Sequence, residues 1–396
     1  MGVLLGYQPA VCRVNEIEEV KLPLNPLSDR IPEANFRSTR RPRAGCPMLY
    51  EMHATQFKVS RRGVLAERAL LDRIRGRAVR SASGALCLGI GDDCALLGVN
   101  PDEEIAVTTD LSIAGRHFRL DWHAPEVVGH RALARGLSDL AAMGARPIAA
   151  FLSLGLPEEL TQSRGSRTGR AWVDRFYDGL LALADLRKTP LAGGDLAQSP
   201  IALADVVLIG AVPRGKALLR SGASVGDLLY VTGSLGGSAT GLAYLAERPP
   251  TKSGKPRSIP GRMIHLLAAH LYPQPRITQG IWLRRRALAT AAIDLSDGLS
   301  TDLAHLCAES GLAAEVDAAA LPLHPAASLD QALNGGEDYE LLFAASPKAK
   351  LPRKIAGVAV SCIGRLLPAR RGRPQVTLLT PEGPRPLLPH GWEHFS

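Results

Sequence analysis

Four short stretches of the chain combine glycine or threonine with carboxylates, and these residues are the best suited to chemistry. They are residues 89–93 (GIGDD), 108–110 (TTD), 193–195 (GGD) and 294–298 (DLSDG). Each follows a short apolar run with the composition of a β-strand, so we expect the carboxylates at strand ends. Carboxylates at strand ends can converge on one pocket, and a set of oxygen ligands suits Mg²⁺. The spacing therefore predicts a multi-carboxylate site for Mg²⁺ and a nucleotide.

Each acidic group also has a simpler explanation. Asp93 and Asp195 can belong to ordinary glycine turns, whereas Asp294 and Asp297 can be a helix N-cap and a first-turn acid. Recurrence favours the metal interpretation, because six carboxylates in similar settings are hard to explain as six separate caps. The sequence has no G-x-x-x-x-G-K-[ST] motif and no protein-kinase motif set, so nucleotide handling would depend on carboxylates and metal ions.

Phosphate groups also need hydrogen-bond donors, and the sequence offers several. The candidates are Arg220, the backbone amides of Gly193 and Gly194, and the hydroxyl of Ser296. A single arginine is more often a surface residue, and a single histidine such as His117 is more often structural than functional. Both remain candidates on the sequence alone.

The periodicity of apolar residues predicts the elements that position these groups. A helix that begins at Pro125 and runs to residue 144 carries Asp139 beside its apolar stripe, where an unpaired carboxylate would be costly to bury. Alternating strands and helices continue to residue 213 and indicate an α/β domain, and an α+β block follows. The other predicted elements are helices at about 63–75, 171–186 and 239–246, and strands at about 149–156, 201–212, 228–232, 356–363 and 376–379.

Length and composition describe a globular protein with two domains. The 396 residues are 46% hydrophobic and 21% charged, and the formal charge is +9. The basic residues lie in short clusters without interleaved aromatic residues, which disfavours nucleic-acid binding. The six cysteines form no C-x-x-C pair, and no apolar run approaches the roughly 20 residues needed to span a bilayer. We therefore expect no membrane association and a cytoplasmic location.

The domain prediction has three parts. Residues 1–60 are rich in Pro and Arg without periodicity, and we expect a disordered or mis-annotated extension there. Residues 61–213 form the predicted N-terminal ATP- and Mg²⁺-binding α/β domain, and residues 214–396 form the predicted C-terminal α+β domain. The stretch 249–261, with Pro, Lys, Ser and Gly, has the composition of an exposed insertion.

Taken together in order, the motifs resemble the thiamine-monophosphate kinase family of the aminoimidazole ribonucleotide synthetase-like superfamily. The resemblance covers the chain from about residue 60 to its end. Its most informative parts are LSDLAAMGA and GGEDYEL, which are long and specific. The matching segments are residues 89–97 (GIGDDCALL), 108–110 (TTD), 137–145 (LSDLAAMGA), 193–195 (GGD), 220–223 (RSGA), 294–299 (DLSDGL) and 335–341 (GGEDYEL).

The resemblance implies an enzyme that transfers the γ-phosphoryl group of ATP to thiamine phosphate, in a homodimer whose N-terminal sheets pair across the interface. It implies that Mg²⁺ is held by Asp93, Thr108, Thr109, Asp110, Asp139, Asp195, Asp294 and Asp297. It implies ATP contacts from Gly194, Asp195, Arg220, Ser296 and Tyr177, and contacts to thiamine phosphate from His117, Glu337 and Trp392. No general base is expected, because the attacking phosphate oxygen is already anionic.

Two alternatives remain open at this point. One is another ATP-using enzyme of the same superfamily, such as selenophosphate or aminoimidazole ribonucleotide synthetase. The other is a non-catalytic nucleotide-binding protein, although acids at all four motifs are unexpected in a degenerate site.

Overall fold

Apolar side chains recur along this chain with period two in the strands and at helical spacing in the helices. The computed structural model describes residues 61–78, 84–91, 93–163, 169–248, 251 and 256–391, all within a unit that spans residues 59–396. Its α-helices are α1 (Arg61–Ala78), α2 (Pro125–Ala142), α3 (Glu158–Thr161), α4 (Trp172–Arg187), α5 (Gly237–Ala246), α6 (Gly261–Leu271), α7 (Ile277–Arg285), α8 (Leu299–Ser310) and α9 (Leu329–Asn334).

The strands are β1 (Leu86–Leu88), β2 (Leu96–Leu97), β3 (Glu103–Ile113), β4 (Arg146–Leu156), β5 (Leu191–Gln198), β6 (Leu203–Pro213), β7 (Leu228–Thr232), β8 (Ala291–Asp294), β9 (Leu312–Asp317), β10 (Leu341–Ala345), β11 (Lys354–Ile355), β12 (Val358–Pro368), β13 (Val376–Thr380) and β14 (Gly383–Pro386). The predicted extension at residues 1–60 lies outside the described residues, as does part of the predicted insertion at 249–261.

The first half of the chain builds a four-stranded sheet in the order β3-β6-β4-β5. Strands β4 and β5 are parallel, and the other two pairings are antiparallel. Side chains of β6 alternate between buried and half-buried, as expected of a strand with one face on the core. Helix α2 covers that face, since Leu208 and Thr108 lie beside Gly136 of the helix. The helix is thereby fixed against the centre of the sheet.

The second half builds an eight-stranded mixed sheet. Its order is β14-β13-β9-β12-β7-β10-β8, with β11 paired to β12. Strands β9 and β13 are parallel, whereas the neighbouring pairs are antiparallel. Strand β10 lies between β7 and β8 and is buried along its whole length, which agrees with its apolar sequence LLFAA. Leu299 and Leu303 of α8 join the strands' side chains in the core of this part.

The predicted helices and strands within the described residues are observed, with boundaries shifted by a few residues. The expectation that every carboxylate group follows a strand is wrong for two of them. Asp110 lies inside β3, which continues to Ile113, and Asp195 lies inside β5, which continues to Gln198. Both strands extend because backbone pairing continues past the acids, with Asp110 opposite Val206 and Asp195 opposite Ser153. Asp294, by contrast, is the last residue of β8.

Two further sequence expectations concern cysteines and membranes. The cysteines of the described part of the chain, Cys87, Cys94, Cys307 and Cys362, are free thiols. Among the helices described here, none combines the length and the apolar character that crossing a bilayer requires.

Helices α2 and α4 approach so closely that glycine is required on both. A Cβ atom on Gly129 would lie 1.9 Å from the carbonyl oxygen of Phe176. A Cβ atom on Gly179 would lie 1.8 Å from the carbonyl oxygen of Glu126. The backbones of the two helices are therefore in direct contact. This contact fixes the position of α2, because there is no room for even a methyl group between the helices.

Gly129→Ala should lower the free energy of unfolding by about 3 kcal/mol, because the added methyl group has no space at a backbone contact. Gly76→Ala is the matched control, since a Cβ atom on this exposed glycine of α1 meets no atom within 4 Å. This second substitution should raise the free energy of unfolding by about 0.5–1 kcal/mol. Denaturant titration measures both values, and equal stability of the two variants would contradict the contact described here.

Candidate active site

A cavity of about 470 Å³ opens between residues of the two sheets and their connecting loops. The N-terminal half contributes side chains from β3, α2 and the loop after β3. The C-terminal half contributes the end of β8 with its following loop, the start of α5 and the loop before β10. Eight of the residues singled out from the sequence line this cleft: Thr109, Asp110, His117, Asp139, Asp294, Ser296, Asp297 and Glu337.

Three of these residues form a cluster of mutually repelling carboxylates. Burial raises the pKa of Asp294 to about 7, with a further contribution from the charge of Asp139. Burial likewise raises the pKa of Asp139 to about 6, and the charge of Asp110 adds to the shift. Thr108 opposes it by donating its hydroxyl proton to Asp139 Oδ2. The cluster thus concentrates negative charge in a place where water compensates it poorly.

Arginine compensates part of this charge. Arg135 donates from Nε to Asp110 Oδ1 over 2.9 Å, and its Nη2 lies 2.8 Å from the same oxygen. The pKa of Asp110 is nevertheless raised, because burial outweighs the nearby guanidinium. Arg220, an exposed residue, lowers the pKa of both Asp139 and Asp294 through its charge. Its influence agrees with a position close to the cluster, although it is absent from the described residues that line the cleft.

The donor set fits a hard cation such as Mg²⁺. Asp110, Asp139 and Asp294 supply only carboxylate oxygens, and their raised pKa values reflect charge that a cation would relieve. Within the described part of the chain, no three His, Cys, Asp or Glu side chains are already arranged to hold a metal. Such an arrangement is not needed by enzymes that use phosphate substrates, where one or two carboxylates and the phosphates share the ion.

The loop that carries Glu337 is held in an unusual conformation. Glu337 and Tyr339 both have positive φ angles, 63° and 51°, which side chains other than glycine rarely adopt. Arg131 donates to both carboxylate oxygens of Glu337 at 2.7 Å. Burial acts to raise the pKa of Glu337, but the charge of Arg131 holds it below its usual value. Glu337 therefore lines the cleft with its charge already balanced by a buried guanidinium.

The loop after β8 depends on a carboxylate that the sequence reading passed over. Asp302 Oδ2 accepts hydrogen bonds from the backbone N–H groups of Ser296, Asp297 and Gly298, at 3.0–3.1 Å. Its side chain is only 1% exposed, so these bonds replace water as its partners. The three donors hold Ser296 and Asp297 in place where they line the cleft.

Other predicted residues lie elsewhere. Asp195 is exposed, and its Oδ1 accepts from the backbone N–H of Leu196 at 2.8 Å. The neighbouring residue, Gly194, lies level with Asp110 in the sheet, but strands β6 and β4 separate the two. Three strand spacings correspond to about 14 Å. Asp93 lies in an exposed turn, and neither it nor Asp195 is among the described residues that line the cleft.

Tyr177 also lies away from the cleft in the described structure. It is 4% exposed and packs perpendicular to Phe176, with ring centroids 5.7 Å apart, in the core beneath α4. Its expected adenine contact stays a prediction, as do the roles expected of Asp93, Asp195, Gly194, Arg220 and Thr108. Trp392 and Asp92 lie outside the described residues, so the structure describes neither.

Sequence reasoning missed the arginines of α2, although a signal for them was present. Arg131, Arg135 and Asp139 are spaced four residues apart, which places them along one face of the helix. That face contacts the cleft: Arg135 and Asp139 line it, and Arg131 holds Glu337. Buried His270 and Ser238 also line the cleft, and they had no recognisable local pattern.

Two protein-family models match the chain. The model described as AIR synthase related protein, N-terminal domain, matches residues 91–213. The corresponding C-terminal domain model matches residues 224–376. Together the two matches span more than half of the chain and confirm the predicted α/β and α+β architecture. The first match contains β3 to β6, and the second contains β7 to β12.

Full-length relatives and solved structures agree with these matches. Thiamine-monophosphate kinase of Escherichia coli (strain K12) is 39% identical in an alignment of 330 residues that covers 80% of this chain and 95% of that protein. The crystal structure of thiamine-monophosphate kinase from Stenotrophomonas maltophilia K279a has 37% identity and a TM-score of 0.65, covering 78% of this chain and 95% of its own. A structure described as AaThiL complexed with AMPPCP and TMP has 30% identity and a TM-score of 0.63, covering 85% of this chain and 100% of its own.

Proposed function

This chain belongs to the thiamine-monophosphate kinase family of the AIR synthase related proteins, and we propose that it transfers the γ-phosphoryl group of ATP to thiamine phosphate. The products are thiamine diphosphate and ADP. The similar AaThiL structure contains AMPPCP, an ATP analogue, together with TMP. The observation that carries the proposal for this chain is the cleft, where Asp110, Asp139 and Asp294 converge beside Arg135 and Ser296.

The chemistry of this transfer asks for charge compensation and alignment. The attacking atom is a phosphate oxygen that is already ionised near neutral pH, so no side chain has to remove a proton. The obstacle is repulsion between two polyanions, and bound Mg²⁺ supplies the positive charge that offsets it. Residues that hold both phosphates in line lower the remaining barrier, because the entropy of orienting the two groups is lost on binding and not in the chemical step. The cleft residues therefore act by position and charge.

We propose that Mg²⁺ is held by oxygen atoms from the residues expected to bind it: Asp93, Thr108, Thr109, Asp110, Asp139, Asp195, Asp294 and Asp297. Support is strongest for Asp110, Asp139 and Asp294, because their carboxylates, of which Asp294 is buried and the other two half-buried, repel one another. Phosphate oxygens of ATP would supply further oxygen ligands. The proposed ATP contacts are Gly194, Asp195, Arg220, Ser296 and Tyr177.

The proposed contacts to thiamine phosphate are His117, Glu337 and Trp392. Glu337 requires a refined role, because Arg131 already binds both of its oxygens. A carboxylate has about four lone-pair sites, so two remain for a donor on the substrate. Glu337 then acts mainly as an oriented hydrogen-bond acceptor and less as a free negative charge beside the thiazolium ring.

We further propose that the protein is a cytoplasmic homodimer with a domain boundary near residue 213. Strand β3 supports the dimer, because it forms an edge of the four-stranded sheet. Its outer face exposes Ile105 by 54%, Val107 by 61% and Leu111 by 45%. Such an apolar edge invites pairing with another strand. The domain boundary is supported by the sheets, which use residues 103–213 and 228–386 respectively.

The activity has a direct test. Purified full-length protein with ATP, Mg²⁺ and thiamine phosphate should produce thiamine diphosphate and ADP in equal amounts, measured by chromatography. Free thiamine is the control acceptor and should give no product, because it lacks the phosphate oxygen that attacks. Hydrolysis of ATP without thiamine diphosphate formation would contradict the proposal.

Asp139→Asn should abolish measurable turnover and leave the fold intact, because it removes one negative charge from the proposed Mg²⁺ site while conserving shape. Asp317→Asn is the matched control: Asp317 is exposed and caps a short helix, which asparagine also does. Initial rates measured over a range of Mg²⁺ concentrations distinguish the two. A near-normal rate for Asp139→Asn at every Mg²⁺ concentration would remove Asp139 from the site.

The homodimer predicts that Val107→Glu produces a monomer, because charge at the centre of an apolar strand interface is costly to bury. Val225→Glu is its control, since Val225 is similarly exposed at 56% but lies far along the chain from β3. Light scattering after size-exclusion chromatography should give twice the chain mass for the wild type and the control. A wild-type mass equal to one chain would refute the dimer.

A further inference from the structure

Three buried side chains form a hydrogen-bonded chain that ends in the cleft. His123, in the turn before α2, is 2% exposed; His270 of α6 and Ser238 of α5 are each 1% exposed. His123 Nε2 lies 3.1 Å from His270 Nε2. His270 Nδ1 lies 3.0 Å from Ser238 Oγ. His270 and Ser238 both line the cleft, whereas His123 lies behind them.

The direction of this chain follows from its first member. The backbone N–H of Arg119 donates to His123 Nδ1 over 3.1 Å. The carbonyl oxygen of Arg119, 3.2 Å from the same nitrogen, already accepts from the backbone N–H groups of His123 and Trp122. Because a backbone N–H can only donate, His123 Nδ1 is the acceptor. A neutral His123 therefore carries its proton on Nε2.

Each later step follows by elimination. His123 Nε2–H donates to His270 Nε2, which must then be unprotonated. His270 consequently carries its proton on Nδ1 and donates it to Ser238 Oγ. Since Ser238 Oγ accepts this bond, its own hydroxyl proton is free for another acceptor. Among the described residues, Ser238 Oγ has His270 as its hydrogen-bond partner.

Burial, assisted by the charge of Arg131, keeps both imidazoles neutral, which the tautomer chain requires. Burial lowers the pKa of His123 to about 4, and the charge of Arg131 contributes. The same two causes lower the pKa of His270 well below its usual value. Arg131 Nη1 donates to the carbonyl oxygen of His270 and lies 3.4 Å from its Nδ1, beyond the usual range for a hydrogen bond. Arg131 thus fixes the backbone of His270 and disfavours a second proton on its ring.

The surroundings of Ser238 indicate what its hydroxyl meets. Helix α5 presents Ser238, Ala239 and Leu242 to the cleft, which makes a wall with one donor and two apolar neighbours. His270 Nδ1 lies 4.0 Å from Glu337 Oε2, so Ser238 is at the Glu337 end of the cleft. Such a wall suits a flat ring whose edge carries an acceptor nitrogen: the nitrogen accepts from the hydroxyl, and the carbon atoms contact the apolar side chains. Thiamine phosphate contains such a ring, the aminopyrimidine.

We propose that Ser238 binds the phosphoryl acceptor by donating its hydroxyl proton to a nitrogen of the aminopyrimidine ring, with His270 and His123 as positioning residues that orient this hydroxyl. The assignment rests on the proposed function and adds a determinant of substrate specificity to it. A ring without that nitrogen leaves the buried Ser238 hydroxyl without an acceptor.

The first test removes the hydroxyl. Ser238→Ala should raise KM for thiamine phosphate about 3- to 10-fold, as expected for one hydrogen bond, and leave KM for ATP unchanged. Thr240→Ala is the matched control: Thr240 lies on the same helix, and its Oγ1 donates to the carbonyl oxygen of Gly236 at 2.9 Å. The control should retain both KM values. An equal rise in KM for ATP in Ser238→Ala would overturn the assignment.

Substrate analogues separate a direct contact from a structural effect. Two analogues of thiamine phosphate, each with one ring nitrogen replaced by C–H, are compared in wild type and Ser238→Ala. The analogue that lacks the nitrogen contacted by Ser238 should bind the wild type as weakly as thiamine phosphate binds Ser238→Ala. The Ser238→Ala substitution should not weaken the binding of this analogue any further. If the variant weakens both analogues as much as it weakens thiamine phosphate, Ser238 does not contact the ring. Absence of wild-type turnover would instead refute the proposed function, and this assignment with it.

A second pair of variants tests the orienting chain. His123→Gln keeps an N–H donor toward His270 Nε2 and should retain the wild-type KM for thiamine phosphate. His123→Phe removes that donor, so His270 can take its other tautomer and accept from Ser238, and KM should rise as in Ser238→Ala. In the Ser238→Ala background His123→Phe should add nothing further, whereas independent, additive effects of the two substitutions would contradict the chain. Thermal unfolding of each variant checks that the fold is retained.

Discussion

Repulsion among carboxylates that are wholly or partly withdrawn from water is the interaction on which this cleft depends. Asp139 and Asp294 come from opposite halves of the chain, one on α2 and the other at the end of β8, yet the charge of Asp139 raises the pKa of Asp294. Packing of the hydrophobic cores has to hold the two together against their repulsion. Arg135, Arg220 and Thr108 reduce the repulsion without cancelling it. The remaining negative potential is what makes the site receptive to a cation that arrives with a polyphosphate.

Helix α2 links the fold to this electrostatics. Its glycine at 129 lets it rest on α4, and Gly136 lets it approach β6. The same helix turns Arg131, Arg135 and Asp139 toward the cleft on one face. Because a helix is rigid over this length, close packing on one side determines where the charged side chains lie on the other. Stability and site geometry are therefore set by the same element.

The sequence predicted the elements well and the contacts between them poorly. The helix from Pro125 and the strand at 228–232 were evident, because apolar spacing and a proline at the first helical turn are local signals. The extension of β3 and β5 past Asp110 and Asp195 was missed, since an exposed strand face tolerates polar residues and leaves no end signal.

Partnerships between distant residues were beyond reach for a different reason. Arg131 pairs with Glu337, and His123 meets His270, across separations of 206 and 147 residues. No local pattern encodes such a pair, because it exists only after the sheets and helices have packed. The motifs did give the family, and with it the reaction, since long strings such as GGEDYEL carry more information than any single residue.

The conformation of the Glu337 loop affects how much of the substrate's binding free energy is lost in ordering the protein. Left-handed backbone at Glu337 and Tyr339 is unfavourable by itself, and the two hydrogen bonds from Arg131 Nη2 to the Glu337 carboxylate help to maintain it. The loop is thereby ordered before any ligand arrives, so the entropy of ordering it is lost during folding and not during association. Such preorganisation leaves more of the intrinsic affinity of the acceptor available for aligning the phosphates.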